Sequence, residues 1–353
     1  MKLKIVLSFC VAFLLSIFAG AGIAHATGLP TAPVVGTLFT ASLVPQDLAG
    51  SFRSGVYKEV WTGEVIKALE AAQKTTFLEG IRDYSQYVSA VGDEAQGIHM
   101  TYFGVEPEVL INNTTYPIAI QDLNGEDVII TLDKYQTKAT PVTDDELYAL
   151  AYDKMKVVKD AHANAISKTK VKKALHSLAP GSNTAKMPVI LTTGADDGTG
   201  RKRLTYADLV NFKTALDNLE VPEEGRRLVL CTDHENDLIA QDQKFKDQYY
   251  NASSGKPFSQ LGFEFFSFMG SPYYNPATQQ KLSFGAVPGA TSRRATIFFS
   301  LERASKASGW TKMYYSEAAK DPQMQRNLIN FRHNYIVMPT REEGRGAIVS
   351  ANV

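Results

Sequence analysis

Residues 118–132 have the sequence IAIQDLNGEDVIITL, in which two runs rich in β-branched residues flank an Asn-Gly pair. Asn124 and Gly125 both accept the positive φ angles that a tight primed turn requires, so the pair is a strong local signal for a β-hairpin. The pattern predicts strands over Ile118–Ile120 and Val128–Leu132, joined through the Asn-Gly turn.

A long helix is predicted directly after this hairpin. Thr143-Asp-Asp-Glu146 has the form of a capping box, in which the hydroxyl and the carboxylate satisfy each other's backbone N–H groups. Apolar residues then recur at helical spacing, at Leu147, Leu150, Ala151, Met155, Val158, Ala161, Ala165 and Ile166. An unbroken helix over residues 143–178 would be roughly 50 Å long at about 1.5 Å per residue. Such a helix beside an extended hairpin is typical of a protein that reaches its neighbours.

Composition limits the possible functions. The chain has 353 residues, of which 44% are hydrophobic and 21% charged, enough for a core divided over two lobes. The 37 basic and 37 acidic residues give zero net charge, which argues against a dedicated nucleic-acid binder. Two cysteines are too few for a disulfide framework, and Cys231 is predicted to be a buried, inert thiol in a strand.

The first 26 residues resemble a targeting segment. Lys2 and Lys4 precede an apolar run from Ile5 to Ala24, and Ala24-His-Ala26 has the small-x-small pattern of a signal-peptidase site. The run predicts a secretory signal, although its length also suits an uncleaved membrane anchor or a leader removed for another reason. Residues 27–55 contain three prolines and are predicted to form an extended arm.

The remaining periodicity predicts helices and strands from distant parts of the chain, which together indicate an α+β fold. The predicted helices cover 56–72, the segment from Thr205 to a stop at Val221-Pro222, Leu238–Gln248, and a segment that starts at Asp321-Pro322. The predicted strands are 97–103, Val189–Leu191, Leu228–Cys231, Leu261–Phe268, Tyr335–Met338 and Ala347–Val349.

Two stretches contain candidate chemistry. Thr232–Asp237 concentrates ligand-type side chains, but consecutive residues cannot converge on one ion, so a turn with helix-capping acids is predicted. Gly194–Arg201 lacks both the Gly-Lys-Ser/Thr ending of a phosphate loop and the acidic spacing of a calcium loop, and is predicted to be a surface loop. The sequence has no Gly-x-Ser-x-Gly elbow for a serine nucleophile.

Other candidate residues have more ordinary interpretations. The lysines at 168, 170, 172 and 173 could touch phosphate, but they are predicted to offset the negative end of the long helix. The phenylalanines at 263, 265, 266 and 268 could stack on bases, but core packing is predicted instead. His162 and His176 are too far apart along the helix to share a ligand. The sequence therefore predicts no catalytic, cofactor-binding or metal-binding residue.

From about Val56 to its C-terminus, the chain resembles the tailed-bacteriophage major capsid proteins of the Hong Kong 97-type fold, a fold also used by encapsulins. The order of several segments carries the resemblance: Asp127–Tyr135, Pro141–Leu147, Val221-Pro222 with Arg226–Leu230, Gln260–Phe265, Ala295–Ser300, and the strands after His333.

The resemblance implies an α+β capsid fold with an N-terminal arm, an extended β-hairpin loop, a peripheral domain and an axial domain. Its parts would be a leader at 1–26, the arm at 27–55, the extended loop and peripheral domain at 56–203 with a spine helix at 143–178, the axial domain at 204–290, and a return to the peripheral domain at 291–353.

The function that the resemblance implies is a non-catalytic major capsid protein, assembled in the host cytoplasm and located in the virion. It would form pentamers and hexamers of an icosahedral shell around double-stranded phage DNA, with scaffold, portal and decoration proteins as further partners. The leader departs from this pattern. It motivates an alternative, an exported or membrane-anchored binding protein that contacts the membrane through residues 1–26. A third hypothesis is an enzyme with a site on the loops between 194 and 237.

Overall fold

The computed structural model of the protein describes residues 65–67, 69, 77–91, 95–103, 125–143, 154–241, 245–246, 258–320 and 323–353. The predicted leader, the arm, the strand Ile118–Ile120 and the turn residue Asn124 lie outside these ranges. Residues 65–67 and 69 are helical, in agreement with the helix predicted over 56–72.

The first sheet is built around two long antiparallel strands. Its members are β1 (Arg82–Asp83), β5 (Asp133–Gln136), β6 (Thr140–Thr143), β14 (Ala304–Ser316) and β15 (Arg326–Pro339). Strand β15 pairs with β14 on one side and with β5 and β6 on the other. Short 3₁₀ turns lie at Ser85–Tyr87 and Ala318–Lys320.

The helix predicted to start at Asp321-Pro322 is wrong, because the residues from Arg326 onward form β15 instead. Burial alternates along most of this 14-residue strand, as expected when one face packs on a helix. The backbone N–H and C=O groups of β15 form hydrogen bonds with β14 on one side and with β5 and β6 on the other. This pairing outweighs the local helix-start signal of Asp-Pro.

Helix α1 (Lys154–Leu178) covers one face of the first sheet and is the described part of the predicted long helix. Its 25 residues span about 37 Å. The apolar residues Val171, Ala174, Leu175 and Leu178 form one core with residues of both large sheets, among them Tyr335, Val337, Val229, Ile297 and Phe299. Thr143 itself ends strand β6, and the rest of the predicted capping box lies outside the described residues.

The second sheet is assembled from segments that are far apart in sequence. Its strands are β7 (Val189–Leu191), β8 (Arg226–Leu230), β9 (Phe258–Gln260), β10 (Phe263–Ser267), β11 (Tyr273–Asn275), β12 (Gln280–Lys281), β13 (Arg293–Ser300) and β16 (Arg345–Val349). The strand order is β12-β11-β13-β8-β10-β9, and β16 joins β13 to β7. Strands β8 to β12 precede residue 290, and β13 and β16 follow it. The predicted domain boundary between 290 and 291 therefore falls inside one sheet. The division into peripheral and axial domains stays a prediction.

Helices α2 (Tyr206–Asp217) and α3 (Thr232–Gln241) lie on the side of the second sheet opposite α1. The core on this side contains Leu209, Phe212 and Leu216 of α2, Leu238 of α3, and the strand residues Leu228, Leu230, Phe263, Phe265, Phe298 and Ile348. Strand β8 is parallel to β10, so the chain between them makes the crossover that parallel pairing requires.

Both helices have bounds that differ from the predicted ones. Helix α2 ends at Asp217 rather than at the predicted Val221-Pro222. The chain leaves the helical conformation at Glu220, which has a positive φ of 52°, and the Val221 N–H then donates to the Leu216 carbonyl. Helix α3 begins at Thr232, six residues before the predicted Leu238, so the acids of Thr232–Asp237 are on the helix itself. Asp233 and Glu235 occupy its first turn, where negative charge is favourable.

The third sheet has three antiparallel strands, β2 (Val88–Val91), β3 (Ala95–Phe103) and β4 (Gly125–Thr131). Val128–Thr131 is extended, as predicted. Strand β4 pairs with β3, and the pairing runs from Gly97 opposite Thr131 to Phe103 opposite Gly125. At its base, Ile98 and Leu132 pack against Ala307 and Met338 of the first sheet. In the described part of the chain, no helix is both long and apolar enough to cross a membrane.

Candidate functional site

The two stretches singled out for their chemistry meet inside the molecule. Arg201, at the end of the loop 194–201, forms a bidentate ion pair with Asp237 of α3, with N···O distances of 2.7 and 2.9 Å. The Arg201 Nε also donates to Asp197 at 2.8 Å. Arg201 is 8% exposed and Asp237 4% exposed, so this is a buried pair. A contact between residues 36 positions apart has no local sequence signal, so this ion pair was not predicted.

A histidine next to this ion pair completes the network. His234 on α3 is within 2.8 Å of the Ser350 hydroxyl through Nε2 and within 2.8 Å of the Thr296 hydroxyl through Nδ1. Ser350 also accepts a hydrogen bond from Arg201 at 3.3 Å. Burial lowers the pKa of His234 to about 4, so the ring is neutral at pH 7.

A histidine beside a serine suggests nucleophilic catalysis, but the burial of this pair gives it another role. His234 is fully buried and Ser350 is 1% exposed, so the hydroxyl has no access to a substrate in this conformation. The cavities of about 270 and 490 Å³ that lie along α1 are lined by other side chains. The network instead connects α3, β13, the loop 194–203 and the residue after β16, and so holds four segments together.

A second cluster of polar contacts fixes the start of α2. The Thr205 hydroxyl accepts from the Asp208 N–H while the Asp208 carboxylate accepts from the Thr205 N–H, which is a capping box. The same carboxylate accepts from the hydroxyl of Thr193 at 2.6 Å. Asp208 is therefore committed to positioning the loop 193–205, not to binding a ligand.

Of the four lysines predicted to offset the negative end of the long helix, Lys170 is placed elsewhere, and for Lys168, Lys172 and Lys173 the role stays a prediction. Lys281 contacts the C-terminal end of α1, where its Nζ donates to the carbonyls of His176 and Ala179, each at 2.7 Å. Burial, together with the charges of Arg345 and Lys173, lowers the pKa of Lys281 to about 8. Lys170 lies in the interior, with its Nζ 4.4 Å from the centre of the Tyr335 ring.

The other single residues can be placed as well. Phe263 and Phe265 are buried in the core, as predicted, while Phe266 and Phe268 pack against the core on the α1 side of the sheet. Cys231 is a buried free thiol, as predicted, and burial raises its pKa to about 11. Among the described residues, no three His, Cys, Asp or Glu side chains are grouped in a way that could hold a metal ion.

Two surface grooves lie along α1. One, of about 270 Å³, is lined by Lys172 and His176 of α1 and by residues 269–273, 282–286 and 294. The other, of about 490 Å³, lies between β5 and α1 and is lined by His162, whose Nε2 has no hydrogen-bond partner among the described residues. His162 and His176 thus belong to different grooves.

Comparison with known proteins identifies the fold. No protein-family model and no curated protein matches the sequence. Solved structures do match in three dimensions. The structure named Mycobacterium phage Che8 has 14% identity and a TM-score of 0.50, over 77% of this chain and 90% of that chain.

Two further structures agree with the first. The capsid of the cyanophage P-SCSP1u has 15% identity and a TM-score of 0.52, over 78% of this chain and 88% of that chain. The capsid of an empty GTA particle has 10% identity and a TM-score of 0.52, over 75% of this chain and 88% of that chain. At this identity the likeness concerns the fold, and it confirms the predicted fold class. The chain has the α+β fold of the Hong Kong 97-type major capsid proteins of bacteriophages.

Proposed function

We propose that this chain is a major capsid protein, a subunit that assembles with copies of itself into an icosahedral shell around double-stranded phage DNA. The observation that carries the proposal is the structural similarity to the cyanophage P-SCSP1u capsid, which extends over 88% of that chain. Most of a shell subunit, rather than one shared motif, therefore has a counterpart here.

The distribution of polar side chains supports a structural role. The buried pair Arg201–Asp237 and the buried His234 connect segments of the fold to one another and are closed to solvent. By contrast, the three-stranded sheet β2-β3-β4 contacts the rest of the chain at its base, and Ile129 on β4 is 49% exposed. An exposed apolar residue on an extended sheet suits contact with another subunit.

Electron microscopy of the expressed full-length chain tests assembly. Closed particles, or ring-shaped pentamers and hexamers, are expected in clarified lysate and after size-exclusion chromatography. Removal of residues 1–26 should leave assembly intact, because the small-x-small pattern at Ala24-His-Ala26 marks them as a leader that is cut off. A monodisperse monomer of both chains, over a range of protein and salt concentrations, would contradict the proposal.

The enclosed DNA is tested separately. Particles isolated from infected cells should protect double-stranded DNA from added nuclease, and empty particles made from the protein alone should not retain it. Scaffold, portal and decoration proteins, if they act here, would co-purify with particles from infection and be absent from particles of the single chain.

The alternative of an exported or membrane-anchored binding protein depends on residues 1–26, which lie outside the described residues. The capsid structures that match the fold give it no support. Cell fractionation distinguishes the two: a trimmed periplasmic or membrane-bound product would favour export, and full-length protein in cytoplasmic particles would favour the shell.

The proposed role is also non-enzymatic. A fluorophosphonate probe, which labels activated serines, should leave Ser350 unmodified in the folded protein because the hydroxyl is buried. Rapid and specific labelling of Ser350, lost on His234→Gln, would instead indicate a hydrolase site in this network.

A further inference from the structure

The smaller groove along α1, of about 270 Å³, is lined by four segments of the fold. They are α1 itself with Lys172 and His176, the turn 269–273, the loop 282–286, and β13 with Arg294. We call this cavity the Arg294 groove. Its volume is below the roughly 300 Å³ at which pockets for drug-sized ligands begin, so it suits a small ligand.

The described residues that line the Arg294 groove include two cations and no carboxylate. Lys172 is exposed, and Arg294 directs its Nε to the Tyr273 hydroxyl at 2.9 Å. Neither cation forms an ion pair in the described part of the chain. The Tyr273 hydrogen bond raises the pKa of Arg294, with a smaller contribution from the charge of Asp233, which does not line the groove. The groove therefore holds two positive charges without a paired acid.

Neighbouring lysines add to the positive charge at this end of α1. Lys173 Nζ lies 5.2 Å from the centre of the Phe284 ring, which lines the groove. Burial lowers the pKa of His176, and the charges of Lys281 and Lys173 lower it further, against the effect of its contact with the Leu282 carbonyl. His176 is therefore neutral at pH 7 and adds no charge of its own.

Two hydroxyl groups of the groove can donate to a ligand. The Tyr273 oxygen accepts from Arg294, which leaves its own hydrogen free, and the Ser283 hydroxyl has no hydrogen-bond partner in the described part of the chain. The Ser271 hydroxyl is already used, since it donates to the Phe268 carbonyl at 3.1 Å. Two cations and two free donors match a phosphate monoester, which has close to two negative charges and three acceptor oxygens, better than a carboxylate.

Both cations are held in place by the fold. Arg294 and Tyr273 are direct cross-strand neighbours, and the guanidinium carbon lies 5.5 Å from the centre of the Tyr273 ring. Gly270 lets the turn approach α1 closely, because a Cβ there would lie 2.8 Å from Cγ of Lys172. Groups that are positioned before a ligand arrives lose less conformational freedom when it binds.

We propose that the Arg294 groove binds a doubly charged phosphate group, either inorganic phosphate or that of a nucleoside monophosphate. Lys172 and Arg294 pair with the phosphate oxygens, and the hydroxyls of Tyr273 and Ser283 donate to it. The ligand thereby joins α1 and β13 to the exposed loop that follows β12. This inference concerns the single subunit and does not depend on the proposed function.

Equilibrium dialysis of the full-length chain against radiolabelled inorganic phosphate, at constant ionic strength, tests the site. Lys172→Ala and Arg294→Gln should each weaken binding by about tenfold or more, because each removes a charged hydrogen bond to the ligand. The matched control is Lys168→Ala, which removes an exposed charge one turn earlier on α1, outside the groove. It should weaken binding by less than about twofold, because that charge is screened by solvent and salt.

A variant that keeps the charge separates a built site from general attraction between charges. Ala286 is exposed and lines the groove, so Ala286→Trp should fill part of it and weaken phosphate binding by about tenfold without removing a cation. Thermal unfolding checks that each variant is folded. Phosphate should raise the unfolding temperature of the unaltered chain and of Lys168→Ala more than that of the groove variants.

Adenosine monophosphate, used as a second probe, distinguishes the two sources of the phosphate. Tighter binding of the nucleotide, weakened by the same variants, would assign the groove to nucleotides, and equal binding of both probes would assign it to phosphate itself. Absence of saturable binding of either probe would overturn the inference. So would an equal loss in Lys168→Ala, or undiminished binding by folded Ala286→Trp.

A double-stranded oligonucleotide provides the remaining comparison. Binding of the oligonucleotide that requires Lys172 and Arg294, with no saturable binding of phosphate, would show that the groove recognises nucleic acid and would overturn the inference. Assembly is scored separately by electron microscopy. Particles that form normally from a variant without phosphate binding would support a ligand site that is independent of assembly.

Discussion

The two faces of strand β15 carry similar side chains, but one face is buried and the other is exposed to solvent. On the face beneath α1, Phe331, His333 and Tyr335 are buried, and Lys170 lies over the Tyr335 ring. On the opposite face, Arg332 lies over Trp310 and Tyr314 at the surface. A cation near an aromatic ring thus occurs on both sides of one strand. The comparison teaches that burial, not residue type, separates a contact that stabilises the fold from one that stays open to solvent.

The largest expected difference between the faces comes from removing one ring on each. Phe331→Ala should lower the free energy of unfolding by about 3–5 kcal/mol, because it leaves a cavity beneath α1 beside His162. Trp310→Ala should cost no more than about 1 kcal/mol, since that ring is partly exposed and its cation contacts are screened. Urea unfolding of both variants measures this. Equal losses would remove the distinction between the faces.

The second prediction extends the comparison to the interior ion pair. Asp237→Ala should destabilise the chain by about 3 kcal/mol, because Arg201 loses its bidentate partner and the Leu204 N–H loses its acceptor. Glu223→Ala is the matched control, since Glu223 pairs with Lys213 at 3.0 Å but is 68% exposed. The control should change stability by less than about 1 kcal/mol.

The third prediction concerns pH. Burial lowers the pKa of His333 to about 3, with Lys170 contributing, and that of His234 to about 4. An unfolded histidine titrates near pH 6.5, so below that pH the unfolded state binds protons that the folded state does not. Stability is therefore fully present above about pH 7 and is lost as the pH falls through 6.5 toward 4.

Each of these two histidines should contribute roughly 2–3 kcal/mol of that loss between pH 7 and 4.5. His333→Gln and His234→Gln should each flatten the pH dependence measured by chemical unfolding, relative to the unaltered chain. An unchanged pH dependence in both variants would mean that the two histidines have the same pKa in the folded state as in the unfolded state.

The smallest expected effect compares two buried tyrosines. The Tyr274 hydroxyl donates to the Pro180 carbonyl, whereas the Tyr335 hydroxyl has no hydrogen-bond partner among the described residues. Tyr274→Phe should therefore cost about 1 kcal/mol, while Tyr335→Phe should be neutral or stabilising by up to about 1 kcal/mol. A clear loss of stability in Tyr335→Phe would show that its hydroxyl has a partner.

The helices and strands that were predicted correctly are those marked by residues close to them in sequence. The helix from Thr205 has a complete capping box, and the strands Val189–Leu191 and Ala347–Val349 are apolar runs bounded by loops. The aromatic strand was also found, but the two-residue turn that precedes it was not. Leu261 and Gly262 both have positive φ there, and leucine rarely adopts that conformation.

Elements defined by distant partners were predicted less well. Strand β14 was missed, and β15 was partly assigned to a helix, although the two form the longest ladder of the described structure. Their ladder contains a bulge between Ser308 and Thr311, where Gln96 of β3 accepts from the Trp310 N–H, and neither feature has a local signature. The same reason explains why Arg201 and Asp237 were considered separately, and why the contact of Lys281 with the end of α1 was not predicted.

The position of β16 in the second sheet has a consequence for biosynthesis. This strand lies between β13 and β7, and β7 has no other partner in the described sheets. Because β16 is translated after every other strand of the sheet, β7 waits for more than 150 residues of synthesis before its ladder can form. The second sheet therefore stays unfinished until residues 345–349 have left the ribosome, and until then the edge of β13 that β16 later covers has no neighbour on that side.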